Sequence, residues 1–280
     1  MATIDLHTHS YYSDGALSPE QLVQRAWDCG VKMMALTDHD STAGLSEAHA
    51  VGQRLGVHII DGLELSTQWQ KLNVHVLGLH LQVEHPGLKI LLSQQAAARG
   101  ERARRMAERF EQLGIRGVYD QALALAESPD TLSRQHFAQV LLARGVVHSL
   151  QQAFDRYLGD GKKAAVPMPW VTMEEGIAVL LQAGATVVLA HPLRYGMTLT
   201  RLLKLLQAFA AAGGQAVEMA TATQDAAMIP WLVRQADTLG LKSSQGSDYH
   251  GPHMPWVELG QFADMPPSCR PVWSDWQQEC

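Results

Sequence analysis

The stretch IDLHTHSYYSDG, residues 4–15, starts with a short apolar run and then places His7 and His9 two positions apart. Successive side chains of a β-strand point to opposite faces, so residues two apart lie on the same face. Two imidazoles on one face can reach one ion, although a His-x-His pair is a weak signal on its own. The stretch predicts a metal site only if the rest of the chain supplies further ligands.

Short apolar segments alternate with helical segments along most of the chain. This alternation is typical of βα units around a parallel sheet. After the opening run, the strand candidates are VKMMALTDHD, VHIIDGLELS, NVHVLGLHL, TVVLAHP, QAVEMAT and LKSSQGSDYH. The pattern therefore predicts an α/β protein with seven strands, arranged as a parallel barrel.

The first helix is marked at both ends. Ser18 can cap it, Pro19 takes the first helical position, and Gln21 stands where a capping box needs it. Gly30 is expected to end the helix.

The middle of the chain, from about Leu88 to Leu158, has helical periodicity and no strand candidate. It starts with a long basic, alanine-rich helix through Leu113 and continues with RQHFAQVLLARG and SLQQAFDRYLG. Such an interruption of a βα pattern predicts an inserted all-helical subdomain. We expect residues 88–158 to form the insertion and residues 1–87 and 159–280 to form the barrel.

Side chains of the metal-ligand type end nearly every predicted strand. In a parallel barrel these ends converge on one face, where the chemistry gathers. The residues are His7, His9, Asp38, His39, Glu64, His75, His191, Asp248 and His250. Carboxylates crowded together without a cation would repel, and their pKa values would rise. The set contains no Cys and predicts two or three divalent ions at one rim.

Other polar residues are not predicted to lie at this rim. Glu218 lies inside the strand QAVEMAT and is left unassigned. His80 lies five residues past His75, so the strand pleat turns it to the opposite face. The remaining histidines, on helices, in loops or at element starts, are His49, His58, His85, His148 and His253.

The composition indicates a globular protein with a substantial core: 46% of its 280 residues are hydrophobic and 18% are charged. The formal charge of −6 argues against broad electrostatic attraction to nucleic acid or anionic membranes. The sequence shows no signal-peptide pattern and no membrane-spanning stretch, which favours a cytoplasmic protein. Cys29, Cys269 and Cys280 form neither a disulfide framework nor a zinc-ribbon pattern.

Six short motifs occur in order across the chain: DLHTHSYYSDG, LTDHDS, GLELS, HVLG, AHP and GSDYHGP. Together they resemble the PHP family, the polymerase and histidinol phosphatase metal-dependent phosphoesterases. The resemblance implies a distorted (β/α)7 barrel with up to three divalent ions at its C-terminal rim.

Position by position, the resemblance implies nine metal ligands. One ion would be held by His7, His9, Glu64 and Asp248. The second would be held by Glu64 as a bridge, with His75 and His191. The third would be held by Asp14, His39 and His250. We expect Asp38 to orient a ligand imidazole, and we expect Mn²⁺, with Fe²⁺ or Zn²⁺ as alternatives.

The helical insertion narrows the resemblance. Its segments SRQHFAQVL and AFDRYLGDGKKAAVP look like the branch of the 3′,5′-nucleoside bisphosphate phosphatases and the related 5′→3′ exoribonuclease RNase AM. Related members usually carry Arg-Pro-His where this chain has Arg134, Gln135 and His136. A proline there would fix the backbone, whereas Gln135 leaves it freer.

The insertion is expected to form a basic lid that binds substrate. Arg99 and Arg102 stand three apart and share a helix face, while Arg134 and His136 start another helix, where anions bind favourably. A guanidinium suits bidentate contact with phosphate. For Arg102, Arg104, Arg105 and Arg109 as a group, a solvated basic face without a ligand is as good an interpretation as a phosphate site.

These residues lead to a hypothesis of phosphate ester hydrolysis. The lid would grip a 5′-phosphate while a hydroxide between two ions attacks the ester at the 3′-oxygen. The residues expected near the reacting phosphate are Asp14, Glu64, His191 and His250. Substrates would be nucleoside 3′,5′-bisphosphates and short 5′-phosphorylated RNA, digested from the 5′ end to nucleoside 5′-monophosphates. No protein or membrane partner is predicted.

Three alternatives stay open. A histidinol-phosphatase-type phosphomonoesterase would need a pocket for a small amino alcohol, and the large basic insertion counts against it. A metal-stabilised, non-catalytic PHP regulatory module would tend to lose ligands, whereas all nine are present. A nucleic-acid binder that works by charge alone does not suit an acidic chain without an aromatic-studded basic sheet.

Overall fold

The computed structural model describes residues 4–126, 132–159, 161–168, 170–222 and 225–276. This part of the chain contains seven strands and nine α-helices. The strands are β1 (Ile4–Asp5), β2 (Met33–Leu36), β3 (His58–Trp69), β4 (Leu72–Leu79), β5 (Thr186–Leu189), β6 (Ala216–Ala220) and β7 (Lys242–Gln245). The helices are α1 (Pro19–Asp28), α2 (Leu45–Leu55), α3 (Pro86–Gln112), α4 (Val118–Leu123), α5 (Arg134–Ala143), α6 (Leu150–Ala153), α7 (Met173–Gln182), α8 (Leu199–Ala211) and α9 (Ile229–Leu239). The seven predicted strands are confirmed, and they pair in chain order from β1 to β7.

The sheet curls until its two edges meet. The backbone N–H of Leu6, just after β1, donates to the carbonyl of Gln245 in β7 over 3.1 Å. Thr8 and Tyr249 continue this pairing as a parallel bridge. Closure satisfies the backbone groups at the two sheet edges and brings the segments that follow β1 and β7 side by side. The predicted α/β barrel is confirmed.

Strand β4 runs in the direction opposite to the expected one. It is antiparallel to β3 and to β5, whereas the other paired neighbours are parallel. Only Gln70 and Lys71 separate β3 from β4, and Gln70 has a φ of 57°. A two-residue turn joins antiparallel strands, because a parallel connection needs about a dozen residues. The expectation of a uniformly parallel barrel was wrong at β4.

Helix α1 begins and ends where its sequence signals predict. The Ser18 side chain accepts from the Gln21 N–H, and the Gln21 side chain accepts from the Ser18 N–H. Pro19 is the first helical residue, and Gly30 follows the helix with a φ of 82°. Glycine adopts this left-handed conformation without the steric penalty of a Cβ, so it ends the helix readily.

Apolar side chains fill the barrel and cover both of its flanks. The interior cluster includes Leu6, Ile60, Leu77 and Val188. Helices α1 and α2 cover one flank, and α7, α8 and α9 cover the other. This packing fixes the strands, and therefore the positions of the residues at the strand ends.

Helices α3 to α6 share a core of their own. Phe110 of α3 and Phe137 of α5 stack with ring centroids 5.9 Å apart, and Val118 of α4 belongs to the same cluster. Leu88 and Leu91, at the start of α3, pack instead with the barrel. The long helix α3 therefore starts on the barrel and ends in the helical segment. The boundaries 88 and 158 of an inserted subdomain stay a prediction.

Two further expectations concern cysteines and membranes. Cys29 and Cys269 are free thiols and partly buried, while Cys280 lies outside the described residues. Among the described residues, no helix combines the length and the apolar character that crossing a bilayer requires.

Candidate metal centre

His7 and His9 follow β1 and enter one end of the barrel. Both are fully buried, and their ring centroids are 5.1 Å apart. Their Nε2 atoms each lie 3.2 Å from Oε2 of Glu64, so the pair aims two nitrogens at one point. Gly246, after β7, leaves room for this approach, since a Cβ there would lie 2.3 Å from the Cβ of His7.

Glu64 is the centre of the rim. Its Oε2 lies 3.2 Å from Nδ1 of His39. Its Oε1 lies 2.9 Å from Nδ1 of His75 and 3.0 Å from Nε2 of His191. Strand β3 continues past Glu64 to Trp69, so the expectation that Glu64 ends its strand was wrong. One buried carboxylate thus contacts five imidazoles contributed by several strands.

His75 reaches the rim from the start of β4 rather than from the end of a strand. It pairs with Ser66 of β3, and its N–H donates to the hydroxyl of Tyr195 over 2.8 Å. Because β4 is antiparallel, its beginning lies beside the ends of the parallel strands. The reversal of β4 is therefore what brings His75 to Glu64.

Asp14 and Asp248 lie on the other side of the rim. Oδ1 of Asp14 lies 3.2 Å from Nε2 of His250 and 3.9 Å from Nε2 of His39. Oδ1 of Asp248 lies 3.2 Å from Nε2 of His9. These residues follow β1, β2 and β7, and barrel closure brings those segments together.

Three groups of donor atoms, each within a span of 4.8 Å, could hold a metal ion among the described residues. The first is His7, His9, Glu64 and Asp248, which is the predicted first ligand set. The second is His9, Asp14, His39 and His250, which adds His9 to the predicted third set. The third is His39, Glu64 and His75, and His191 contacts the same Glu64 carboxylate. All nine predicted residues thus meet at one rim, while their roles as ligands stay a prediction.

Several buried polar atoms of this rim have no hydrogen-bond partner within the described part of the chain. They are Nε2 of His7 and His9, Nδ1 of His39 and His191, Oδ1 of Asp14 and Oε2 of Glu64. An unpaired buried polar atom costs about 1–3 kcal/mol. Imidazole nitrogens and carboxylate oxygens suit divalent cations, and cations at the rim would satisfy these atoms. The residues therefore fit a divalent metal centre.

The carboxylates and imidazoles shift one another's pKa values. Burial opposes the charge on His9, yet Asp248 and Glu64 raise the pKa of His9 to about 10. Burial lowers the pKa of His39 to about 3. Burial also opposes ionisation of Glu64, but the surrounding imidazoles hold the pKa of its carboxyl well below the usual range. A cation that binds these atoms must displace imidazole protons.

Glu218 supports the rim from inside β6, a role not assigned from the sequence. It is fully buried, its Oε1 lies 2.9 Å from Nδ1 of His7, and its Oε2 accepts from the His191 N–H over 2.6 Å. A carboxylate in this position fixes the orientation of a ligand ring. The available signal was an acid within an otherwise apolar strand, because a buried acid needs a partner.

Asp38 acts on the segment after β1 rather than directly on a ligand ring. It accepts from the N–H of Ser10 over 2.7 Å and from the hydroxyls of Ser10 and Ser13 over 2.6 and 2.7 Å. The Ser13 hydroxyl lies 3.5 Å from Nδ1 of His9. The expected orienting role of Asp38 is therefore indirect and passes through Ser13.

The predicted substrate-binding arginines lie next to the rim. A cavity of about 140 Å³, here called the arginine cavity, is lined by Arg99, Arg102 and Arg134 together with Asp14, His39 and His75. Arg99 and Arg102 thus face one space, as their spacing predicts. The structure brings basic side chains and candidate metal ligands together.

The arginines are held by neighbouring groups. Arg99 forms an ion pair with Asp40, and its guanidinium lies over the ring of Trp170, 4.9 Å from the centroid. Nε of Arg102 donates to the carbonyl of Val166 over 2.9 Å. These contacts position the guanidinium groups at the wall of the arginine cavity.

His136 is buried, is not among the described lining residues of the arginine cavity, and takes part in capping α5. The N–H of Ser133 donates to Nδ1 of His136 over 3.0 Å, and burial lowers the pKa of His136. Its contact with substrate stays a prediction.

Two other arginines of α3 point in different directions. Arg109 donates to the Ala165 carbonyl, whereas Arg104 pairs with Glu101 at 3.6 Å on the solvent side.

The histidines expected outside the site do not join the donor groups found among the described residues. His49 contacts Asp61 at 2.7 Å, and His80 stacks on Trp276 with ring centroids 5.8 Å apart. His253 differs, because it lines a cavity of about 220 Å³ with Asp14 and His250. It therefore lies beside the candidate site without belonging to a donor group.

Comparison with curated relatives gives matches over nearly the whole chain. The 3′,5′-nucleoside bisphosphate phosphatase of Chromobacterium violaceum is 39% identical over 98% of this chain and 96% of its own. A 5′-3′ exoribonuclease of Haemophilus influenzae is 42% identical over 96% of this chain and 97% of its own.

Solved structures with the same fold agree with these matches. An amidohydrolase from C. violaceum with bound sulfate superposes with a TM-score of 0.94 at 38% identity, covering 99% of this chain and 96% of that chain. A protein from Bifidobacterium adolescentis classed as a metal-dependent phosphoesterase superposes with a TM-score of 0.83 at 28% identity, covering 98% of this chain and 94% of that chain. The family model described as the PHP domain matches residues 5–159. The chain therefore belongs to the PHP domain family.

Proposed function

We propose that this protein is a metal-dependent phosphoesterase that hydrolyses the ester at the 3′-oxygen of 5′-phosphorylated nucleotides. Its substrates are nucleoside 3′,5′-bisphosphates and short RNA with a 5′-phosphate. The observation that carries the proposal is that one cavity is lined both by candidate metal ligands, Asp14, His39 and His75, and by arginines. Relatives named as a 3′,5′-nucleoside bisphosphate phosphatase and a 5′-3′ exoribonuclease support it.

Two or three divalent ions, with Mn²⁺ the preferred candidate, would be held by the nine rim residues named above. When bound, such ions supply Lewis acidity for a phosphoryl oxygen and for water. Glu64 would contribute both of its carboxylate oxygens to holding the ions, because Oε2 lies beside His7 and Oε1 lies beside His75. Glu218 holds the ring of His7 and the backbone of His191 in position.

The arginine cavity binds the 5′-phosphate. Guanidinium groups bind phosphate through parallel N–H bonds, and the helix dipole favours an anion at the N-terminus of α5. Ser133 and Arg134, at that N-terminus, line the same cavity. Arg99 is only 12% exposed, so a phosphate beside it interacts in a largely desolvated environment. We propose that the segment 88–158 acts in this way as the substrate lid of the barrel.

This arrangement sets the direction of digestion. With the 5′-phosphate held by the arginines, the first 3′-ester lies at the rim. A nucleoside 3′,5′-bisphosphate releases inorganic phosphate, and an RNA releases its first nucleoside 5′-monophosphate. The shortened RNA carries a new 5′-phosphate and can be bound again, which gives stepwise 5′→3′ digestion.

The test is product analysis with the Mn²⁺-loaded protein. Four compounds are compared by chromatography: adenosine 3′,5′-bisphosphate, a 5′-phosphorylated RNA trinucleotide, the same trinucleotide with a 5′-hydroxyl, and histidinol phosphate. We expect nucleoside 5′-monophosphate from the first two and little product from the 5′-hydroxyl RNA. Phosphate from histidinol phosphate alone would contradict the proposal, and no product from any compound by the metal-loaded protein would favour a regulatory module.

A further inference from the structure

A second basic cavity opens beside the arginine cavity. It has a volume of about 370 Å³ and is lined by the β3–β4 hairpin, by α3 and by the segment 161–168. We call it the hairpin cavity. This volume falls in the range of small-molecule sites, about 300–1,000 Å³. None of its described lining residues belongs to the predicted metal ligands.

The charge of the hairpin cavity favours an anion. Its described lining includes four cationic side chains, Lys71, Arg102, Arg109 and Lys162, and no carboxylate. Arg102 and Arg109 are fixed by carbonyls of Val166 and Ala165, so their guanidinium groups stay at the cavity. An anion bound in this space would be attracted by the positive charges of all four side chains.

The position of the hairpin cavity limits what its occupant can be. It shares Arg102 and Asn73 with the arginine cavity. The arginine cavity shares Asp14 and Gln135 with the cavity next to Asp248 and His250. The three cavities therefore form a row with the arginine cavity in the middle.

A substrate bound with its 5′-phosphate at Arg102 would enter this row in one orientation. Its 3′ side would pass the rim toward Asp248 and His250, because the 3′-ester must lie at the candidate metal ligands. A group attached to the 5′-phosphate would point the other way, past Arg102 into the hairpin cavity.

We propose that the hairpin cavity binds a second phosphate attached to the 5′-phosphate, so that the protein accepts 5′-diphosphorylated nucleotides and RNA ends. This inference rests on the proposed function for its orientation. The anhydride of the 5′-diphosphate remains intact, and only the 3′-ester is hydrolysed. Lys71 and Lys162 are the exposed cations that contact the second phosphate.

The deciding experiment is equilibrium binding of AMP and ADP by calorimetry, with the same excess of Mn²⁺ throughout. Neither nucleotide has a 3′-ester, so neither is consumed. We expect ADP to bind more tightly than AMP, and the variants Lys71→Met and Lys162→Met each to weaken ADP binding by about fivefold without changing AMP binding. Lys163→Met is the matched control, because Lys163 is an exposed neighbour that does not line the cavity. Equal affinities for AMP and ADP, or an ADP preference that survives in the double variant, would overturn the proposal.

Hydrolysis assays separate the two possible sources of the ligand. Adenosine 3′-phosphate 5′-diphosphate represents free nucleotides, and a 5′-diphosphorylated trinucleotide represents RNA ends. Activity on the first alone assigns the cavity to free nucleotides, and activity on both extends it to RNA. Activity on 5′-monophosphates with none on either diphosphate would contradict the inference. If the 5′-monophosphorylated compounds are not hydrolysed either, the proposed function is wrong. The AMP and ADP affinities alone then decide whether the hairpin cavity binds a second phosphate.

Discussion

The rim of candidate metal ligands and the arginine cavity share Asp14, His39 and His75, yet the two regions are built differently. The rim places short side chains on strands or just after them, and barrel closure sets their spacing. The arginine cavity uses long side chains from α3 and α5, which are held by an ion pair, an aromatic ring and backbone carbonyls. Loss of one rim residue should therefore disable the whole reaction, whereas loss of one arginine should change which substrate is preferred.

The substitution Glu64→Gln should have the largest effect, because it removes the negative charge that contacts five imidazoles. A metal ion supplies several kcal/mol of transition-state stabilisation, so kcat should fall by about a thousandfold or more. Metal content measured by mass spectrometry should fall in parallel. A variant that keeps both full metal content and kcat would break the assignment of the rim.

Glu218→Gln tests the support of the rim from inside β6. The amide can still contact Nδ1 of His7, but it carries no charge to hold the imidazole tautomer. Removing such a partner typically lowers metal affinity by about 10–100-fold. Titration with a metal chelator measures this change. An unchanged metal affinity would mean that Glu218 serves only the packing of β6.

Arg102→Ala should separate the two regions. A hydrogen bond to a charged group is worth about 1.5–3 kcal/mol, so the preference for 5′-phosphorylated over 5′-hydroxyl RNA should fall by about tenfold or more. Metal content should stay unchanged, because Arg102 contacts the Val166 carbonyl and not a rim residue in the described hydrogen bonds. Arg105→Ala is the matched control on the exposed side of α3. Equal losses in both variants would point to a general charge effect instead of a phosphate site.

Gln135→Pro should have the smallest effect. It restores the Arg-Pro-His pattern that related proteins usually carry at this position. Gln135 lies in the first turn of α5, where proline is tolerated, but its N–H donates to the Ser133 hydroxyl over 3.2 Å. Loss of that bond and gain of chain stiffness are each worth about 0.5–1 kcal/mol and oppose each other. Thermal denaturation should show little net change, and kcat/KM should stay within about twofold. A large loss of activity would show that the Gln135 side chain itself contacts substrate.

Much of the rim could be predicted from the sequence because strand periodicity is local. The spacing of His7 and His9 is enough to place them on one face, and the barrel pattern brings Asp248 to them. The direction of β4 was missed, although the two residues between β3 and β4 leave no room for a crossover. The partner of Glu218 could not be predicted from the sequence, since its contact with His7 joins residues far apart in the chain.

The arginine cavity was harder to predict for a physical reason. Helix spacing places Arg99 and Arg102 on one face, but it does not say which groups their long side chains will meet. The ion pair of Arg99 with Asp40 and its contact with Trp170 depend on how α3 lies on the barrel. The interpretation of the arginine group as one face was too coarse, because Arg109 turns inward while Arg104 faces solvent.

The hairpin at Gln70 and Lys71 also limits how this protein can change in length. Surface turns usually tolerate inserted residues, but register along a strand has a period of two. One extra residue in this turn, taken up as a shift of β4, would rotate His75 out of the barrel and bring Val74 opposite Ser66 in its place. We therefore expect affinity tags, reporter insertions and natural length variation to be tolerated in other surface loops and excluded from this turn.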